Sequence, residues 1–125
     1  MSYIEFDAKY RTFTIMDQQH RQFIDILNRF FDDWIKDRKL DPHPYLMEVA
    51  DYGQYHFDSE EKYMEENKIT HLEEHKKVHK ELMVSLANLI RRIESGEEIT
   101  METFQFLQGW LMNHVVGMDK RDYGL

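Results

Sequence analysis

Two short patterns near the middle of the chain carry residues that could do chemistry. His56-Phe57-Asp58-Ser59-Glu60-Glu61 puts a histidine four residues before a carboxylate, and His75-Lys76-Lys77-Val78-His79 puts two histidines four apart. On a helix, residues four apart share a face, with Cβ atoms about 5–6 Å from each other. Each pair therefore aims two metal-binding groups at one point. Imidazole is a donor for Zn, Cu, Fe or Ni, and carboxylate brings in harder ions. His20 and His114 add two more imidazoles and Asp119 another carboxylate. A lone inward histidine is more often a hydrogen-bonded core residue than a ligand. The reading therefore depends on whether the fold brings these groups together.

The elements that would position them are helical. His20, Phe23, Ile24, Leu27, Phe30, Phe31 and Trp34 recur at steps of three and four, which predicts an amphipathic helix over about 17–37. Residues 1–16 mix charged and aromatic types and read as an extended arm lying on the body, anchored by Phe6, Tyr10 and Phe13. Asp41-Pro42 supplies an N-cap followed by proline at the first helical position. A second helix over about 42–66 then carries Leu46, Val49, Gly53, His56, Glu60 and Tyr63 on one stripe. Thr70 is placed to cap a third helix striped by Leu72, His75, His79, Leu82, Leu86, Leu89 and Ile93, which Ser95-Gly96 ends. Thr100 caps a fourth, with Phe104, Leu107, Leu111, His114 and Met118 inward. Short connections between long helices make neighbours antiparallel. The fold class is all-α: an up-down-up-down antiparallel four-helix bundle with an extended N-terminal arm, one domain over 1–125.

In such a bundle, residues equally distant from a turn lie side by side. The first turn, near position 39 or 40, sets His20 opposite about position 59, between His56 and Glu60. The second, near 68, maps the midpoint of that pair onto about position 79, at His79. The third, near 97, sends the His75/His79 pair to about position 117, between His114 and Asp119. Four helices thus deliver five histidines and two carboxylates to one layer. His71 falls at a helix start, about 6 Å along the axis from His75 at 1.5 Å per residue, and His43 lies about 20 Å from His56 on the same scale; both are excluded. Glu61 reads as a solvated neighbour of Glu60. Burying seven polar groups in an apolar layer is severely unfavourable unless something pairs them, and a metal is the simplest partner. One tension remains: His114 and Asp119 are five apart, which puts them on different faces of an ideal helix, so either the helix is locally distorted there, with Gly117 helping, or Asp119 approaches from the helix end.

Seven donors are too many for one tetrahedral zinc and suit two ions sharing the carboxylates. Two bridging carboxylates, five histidines and a bridging oxygen fill all but one position of two six-coordinate ions. A single vacancy takes one small ligand end-on. Ile24, Leu27, Phe57, Trp110 and Leu111 would line a dry pocket beside it, fit for an apolar diatomic.

The totals agree with this reading. A net charge of -8 argues against a nucleic-acid partner. The absence of cysteine removes disulfides, thiolate metal sites and thiol nucleophiles. No apolar run approaches the roughly 20 residues of a membrane span, and the start lacks signal-peptide character, so a cytoplasmic domain without a membrane partner is expected.

Asp17-Gln18-Gln19-His20, Tyr52 with His56-Phe57 and Glu60-Glu61, Met64, His75 with His79, and Trp110-Leu111 with His114 and Asp119 together resemble the hemerythrin family, in its bacterial single-domain form. The resemblance runs through nearly the whole chain. It implies reversible dioxygen binding at a non-haem di-iron centre with an oxo or hydroxo bridge. It further implies that His75, His79 and His114 hold one iron, that His20 and His56 hold the other, and that Glu60 and Asp119 bridge them. Leu111 matches the leucine of that family's oxygen pocket. Lys68 and Thr70 stand where glycine and proline are common, and Phe6 where many members have tryptophan. The implied role is oxygen carriage, storage or delivery, not enzymatic, with an unidentified reductase or oxygen-consuming enzyme as partner. The alternatives are a di-iron redox enzyme acting on peroxide or nitric oxide, an oxygen or redox sensor, and an iron-handling module.

Overall fold

The computed structural model describes residues 14–112, with side chains from residue 18. Four helices follow in order: α1 (Thr14–Lys36), α2 (His43–Glu66), α3 (Leu72–Glu94) and α4 (Met101–Gly109). The described residues contain no strand. α2 packs against both α1 and α3, and α1 packs against α4. Beyond α4, the indole Nε1 of Trp110 donates to the Leu82 carbonyl of α3 at 3.0 Å, which closes the ring of helices. This is the expected four-helix bundle. The expected N-terminal arm, with Phe6, Tyr10 and Phe13, lies outside the described residues.

α1 begins at Thr14, earlier than the periodicity predicts. Residues 14–16 carry neither glycine nor proline, so nothing in the stretch stops the helix from extending backwards. Its inward face buries Phe23, Ile24, Ile26, Leu27, Phe30 and Trp34. At the end remote from His20, Phe30 stacks on Tyr45 with ring centroids 4.9 Å apart and meets Phe104 edge-on at 4.8 Å. Such ring pairs add about 0.5–1.5 kcal/mol each beyond the area they bury. The Tyr45 hydroxyl donates to Asp33 at 2.6 Å, tying α2 to α1 beside the stack. That bond favours the neutral phenol and raises the Tyr45 pKa.

The helix ends show which local signals set the chain's path. Asp41 accepts a bond from the His43 N–H at 3.1 Å, as an N-cap does, and Pro42 already has helical backbone angles. At the other end of α2, the Ile69 N–H bonds to the Met64 carbonyl and the Lys68 N–H to the Glu65 carbonyl. This is a Schellman motif, which requires a left-handed residue at its turn. Lys68 fills that place at φ 52. The same motif ends α3, with Gly96 at φ 114. A left-handed conformation costs a non-glycine residue about 1–2 kcal/mol, of which glycine's extra unfolded-state entropy would return about 0.5–1. Lys68→Gly is therefore expected to stabilise the fold by up to about 1 kcal/mol, read as a thermal midpoint a few degrees higher.

Two boundary expectations are corrected. His71, not Thr70, is the residue before α3, and it also has a left-handed backbone at φ 69, with no side-chain cap bond. On α2 the inward stripe ends on Met64, fully buried, while Tyr63 is only half-buried. The step from Glu60 to Met64 keeps to one face, whereas Tyr63 lies 100° back around the helix. α4 opens as expected after an extended Thr100, whose N–H bonds to the Thr103 hydroxyl at 3.0 Å. It then widens into a π-type turn at 110–112. Such turns are rare and occur often at functional sites.

Candidate metal centre

Glu60 is the centre of the buried polar layer. It projects from α2 with no exposed surface, and its two oxygens face different histidines. Oε1 meets the Nε2 atoms of both α3 histidines, in contact with His75 and 3.0 Å from His79. Oε2 faces the Nε2 of His56, one turn back on α2, at 3.4 Å. The His20 ring of α1 lies edge-on to His56 with centroids 5.0 Å apart. His20, His56, His75 and His79 are all buried. Ligand atoms of Glu60, His75 and His79 lie within 4.8 Å of one another, the spread a single ion can gather. A carboxylate sealed among imidazoles in a dry layer is costly unless a cation joins it. Mixed imidazole and carboxylate donors without thiolate suit iron. The residues present fit such an ion.

The walls are apolar and aromatic. Phe57 stacks on the His79 ring at 4.1 Å with 14° between planes, and it also reaches His56 and Trp110. Phe23 meets His56 and Trp110 edge-on, both at 5.8 Å. Gly53 lies against these rings: a Cβ there would sit 3.5 Å from Phe23 and from Trp110, in ordinary van der Waals contact. Ile24, Leu27, Phe57, Trp110 and Leu111, the residues expected to line a dry pocket, are all buried in this core. Phe23 belongs with them. It stood on the α1 stripe, but its contact with His56 depends on the spacing between α1 and α2, which the stripe does not contain.

Two polar residues support the histidines from behind. Gln19 is buried, and its Oε1 accepts from His56 Nδ1 at 2.6 Å. Glu61 Oε2 accepts from His79 Nδ1 at 2.8 Å. Glu61 is thus not the solvated neighbour expected from the sequence, because it turns sideways from α2 toward α3 and is only 24% exposed. Burial holds its carboxyl above the ordinary value, opposed by the nearby Lys76. Partial burial likewise raises the Tyr52 phenol. The signal for both supporting residues was adjacency: each sits one position from a residue of the layer.

The excluded histidines stay outside. His43 pairs with Glu94 at 2.9 Å and His71 with Glu74 at 3.5 Å, both on the surface. His114 and Asp119 lie outside the described residues. The widened turn at 110–112 comes just before them in the chain.

Comparison with known proteins adds a second, independent line. The family model described as the Hemerythrin HHE cation binding domain matches residues 9–125. The chain belongs to the hemerythrin family. Hemerythrin relatives include the bacteriohemerythrin of Stenotrophomonas maltophilia, 34% identical over 85% of this chain and 69% of that protein. That of Methylococcus capsulatus is 30% identical over 83% and 80%. A crystal structure of hemerythrin carrying a leucine-to-tyrosine substitution superposes with a TM-score of 0.83 at 26% identity, covering 96% of this chain and 94% of that one. Hemerythrin membership carries with it an iron-binding domain of four helices. No helix among the described residues is long and apolar enough to cross a membrane.

Proposed function

We propose that the chain is a single di-iron domain that binds dioxygen reversibly in the cytoplasm, for carriage, storage or delivery, and does not turn over a substrate. The observation that carries this reading is the two-sided contact of Glu60. A carboxylate with one oxygen toward His75 and His79 and the other toward His56 has the arrangement needed to join two ions. His75, His79 and His114 would hold one iron, His20 and His56 the other, with Glu60 and Asp119 between them. Two ferrous ions held by these residues would supply the electrons that dioxygen takes up on binding. The chain's own part is to hold the imidazoles in register and to keep water out. Phe57, Phe23, Trp110 and Leu111 exclude it with buried apolar surface. A histidine-rich set with few carboxylates stabilises high-valent iron less than the glutamate-rich sets of di-iron oxidation sites. That balance favours return of the oxygen over its consumption.

The test is one cycle of oxygenation. Purified protein is expected to carry close to two irons per chain, to be nearly colourless when reduced without oxygen, to colour in air and to bleach again under argon. One zinc and no iron would overturn the site. An immediate ferric state that argon does not reverse would overturn the carrier and favour a redox enzyme.

A further inference from the structure

We infer that Glu61 and Gln19 give the two halves of the centre unequal electron supply, so that the iron beside His79 is the first to be oxidised. The inference rests on the di-iron reading and adds to it an order of oxidation. Both His79 and His56 turn Nε2 toward Glu60, at 3.0 and 3.4 Å. A neutral imidazole that binds metal through Nε2 carries its proton on Nδ1 and must donate it elsewhere. His79 donates to a carboxylate, Glu61, at 2.8 Å, and His56 to a neutral amide, Gln19, at 2.6 Å. The two bonds are alike in length and differ in the charge of the acceptor. A carboxylate behind the ring draws the Nδ1 proton outward and makes Nε2 the stronger donor, and such partners tune the metal they support. The stronger donor stabilises the ferric state.

The surroundings preserve this difference. Glu61 is three-quarters buried at its side chain, so its charge acts across a medium of lower dielectric than water. Phe57 lies flat on the His79 ring at 4.1 Å and holds its plane, so the line from Nδ1 to Glu61 is fixed. Gln19 and Glu61 also come from different helices, α1 and α2, and each serves one side only. One-electron oxidation by ferricyanide, which takes the electron and becomes ferrocyanide, would then remove the first electron from the iron on the α3 side.

The experiment uses the iron-loaded full chain and two variants that each keep a hydrogen-bond acceptor while changing its charge. Glu61→Gln is expected to make the first oxidation harder, lowering the oxidised-to-reduced ratio at fixed potential about tenfold, a shift of ~59 mV for one electron. Gln19→Glu is expected to make the second oxidation easier and leave the first in place. Equal shifts of both steps in both variants would overturn the split. A Glu61→Gln protein with the parent's potentials would overturn it also, leaving Glu61 an orienting residue only. Glu61→Ala, which removes the bond itself, is expected to weaken ferrous binding against a competing chelator about 10–100-fold. Circular dichroism of each apo-protein checks that the helices persist. Failure of the parent chain to take up iron would instead overturn the di-iron reading, so the two failures are distinct.

Discussion

Glu60→Gln is expected to yield a folded protein with less than about a tenth of the parent's iron. The substitution keeps the volume of the side chain and an oxygen to accept hydrogen bonds, so helix content should not change. What it removes is the negative charge shared by two groups of histidines. Oε1 faces His75 and His79, while Oε2 faces His56, which stands beside His20. Residues that merely support a ligand change affinity by about 10–100-fold, and Glu60, proposed as the ligand common to both ions, should exceed that range. Iron is measured per chain after purification under one protocol, with His71→Ala as control. His71 is exposed and paired with Glu74, so its loss should leave the iron unchanged. An iron content equal to the parent's in Glu60→Gln would remove the bridging role.

The level of the buried polar layer was legible in the sequence for the described residues, because it follows from arithmetic on helices and turns. His20, His56, Glu60, His75 and His79 come together as that arithmetic requires, within the register errors of the turns. What the pattern did not contain is contact between neighbouring helices at the scale of a single side chain. Gln19 lies one residue from His20 and Glu61 one residue from Glu60, so a helical stripe assigns both to the flank. Only the distance between α1 and α2, or between α2 and α3, decides whether such a flanking residue reaches an imidazole. Thr70 was misplaced for a different reason: its capping chemistry is sound, but the left-handed backbone at His71 moves the start of α3 by one residue. The distortion expected between His114 and Asp119 falls outside the described residues, and the five-residue spacing that suggested it did not anticipate the widened turn at 110–112.

Phe57→Ala is expected to damage both stability and, under the proposed function, the return of oxygen. The ring is 1% exposed and is held between polar partners. It stacks on His79 and touches His56 and Trp110. Truncating a buried phenylalanine costs about 3–5 kcal/mol through lost transfer energy and the void left behind. For a domain of this size the thermal midpoint should fall by on the order of 10 °C or more. The void would also differ from an ordinary core cavity. Purely apolar cavities stay dry, but one bordered by imidazoles offers water the polar partners it needs. Water at that position would reach the histidines of both proposed iron positions, and the loaded protein should pass irreversibly to the ferric state in air faster than the parent. Phe57→Leu separates the two effects: it refills most of the volume and should recover all but about 1–1.5 kcal/mol, along with most of the resistance to air. Thermal melts of the apo-protein read the packing, and the rate of ferric accumulation in air reads the seal. If Phe57→Ala lost stability while the air-oxidation rate stayed at the parent's value, the ring would be packing alone, and the exclusion of water would have to rest on Phe23, Trp110 and Leu111.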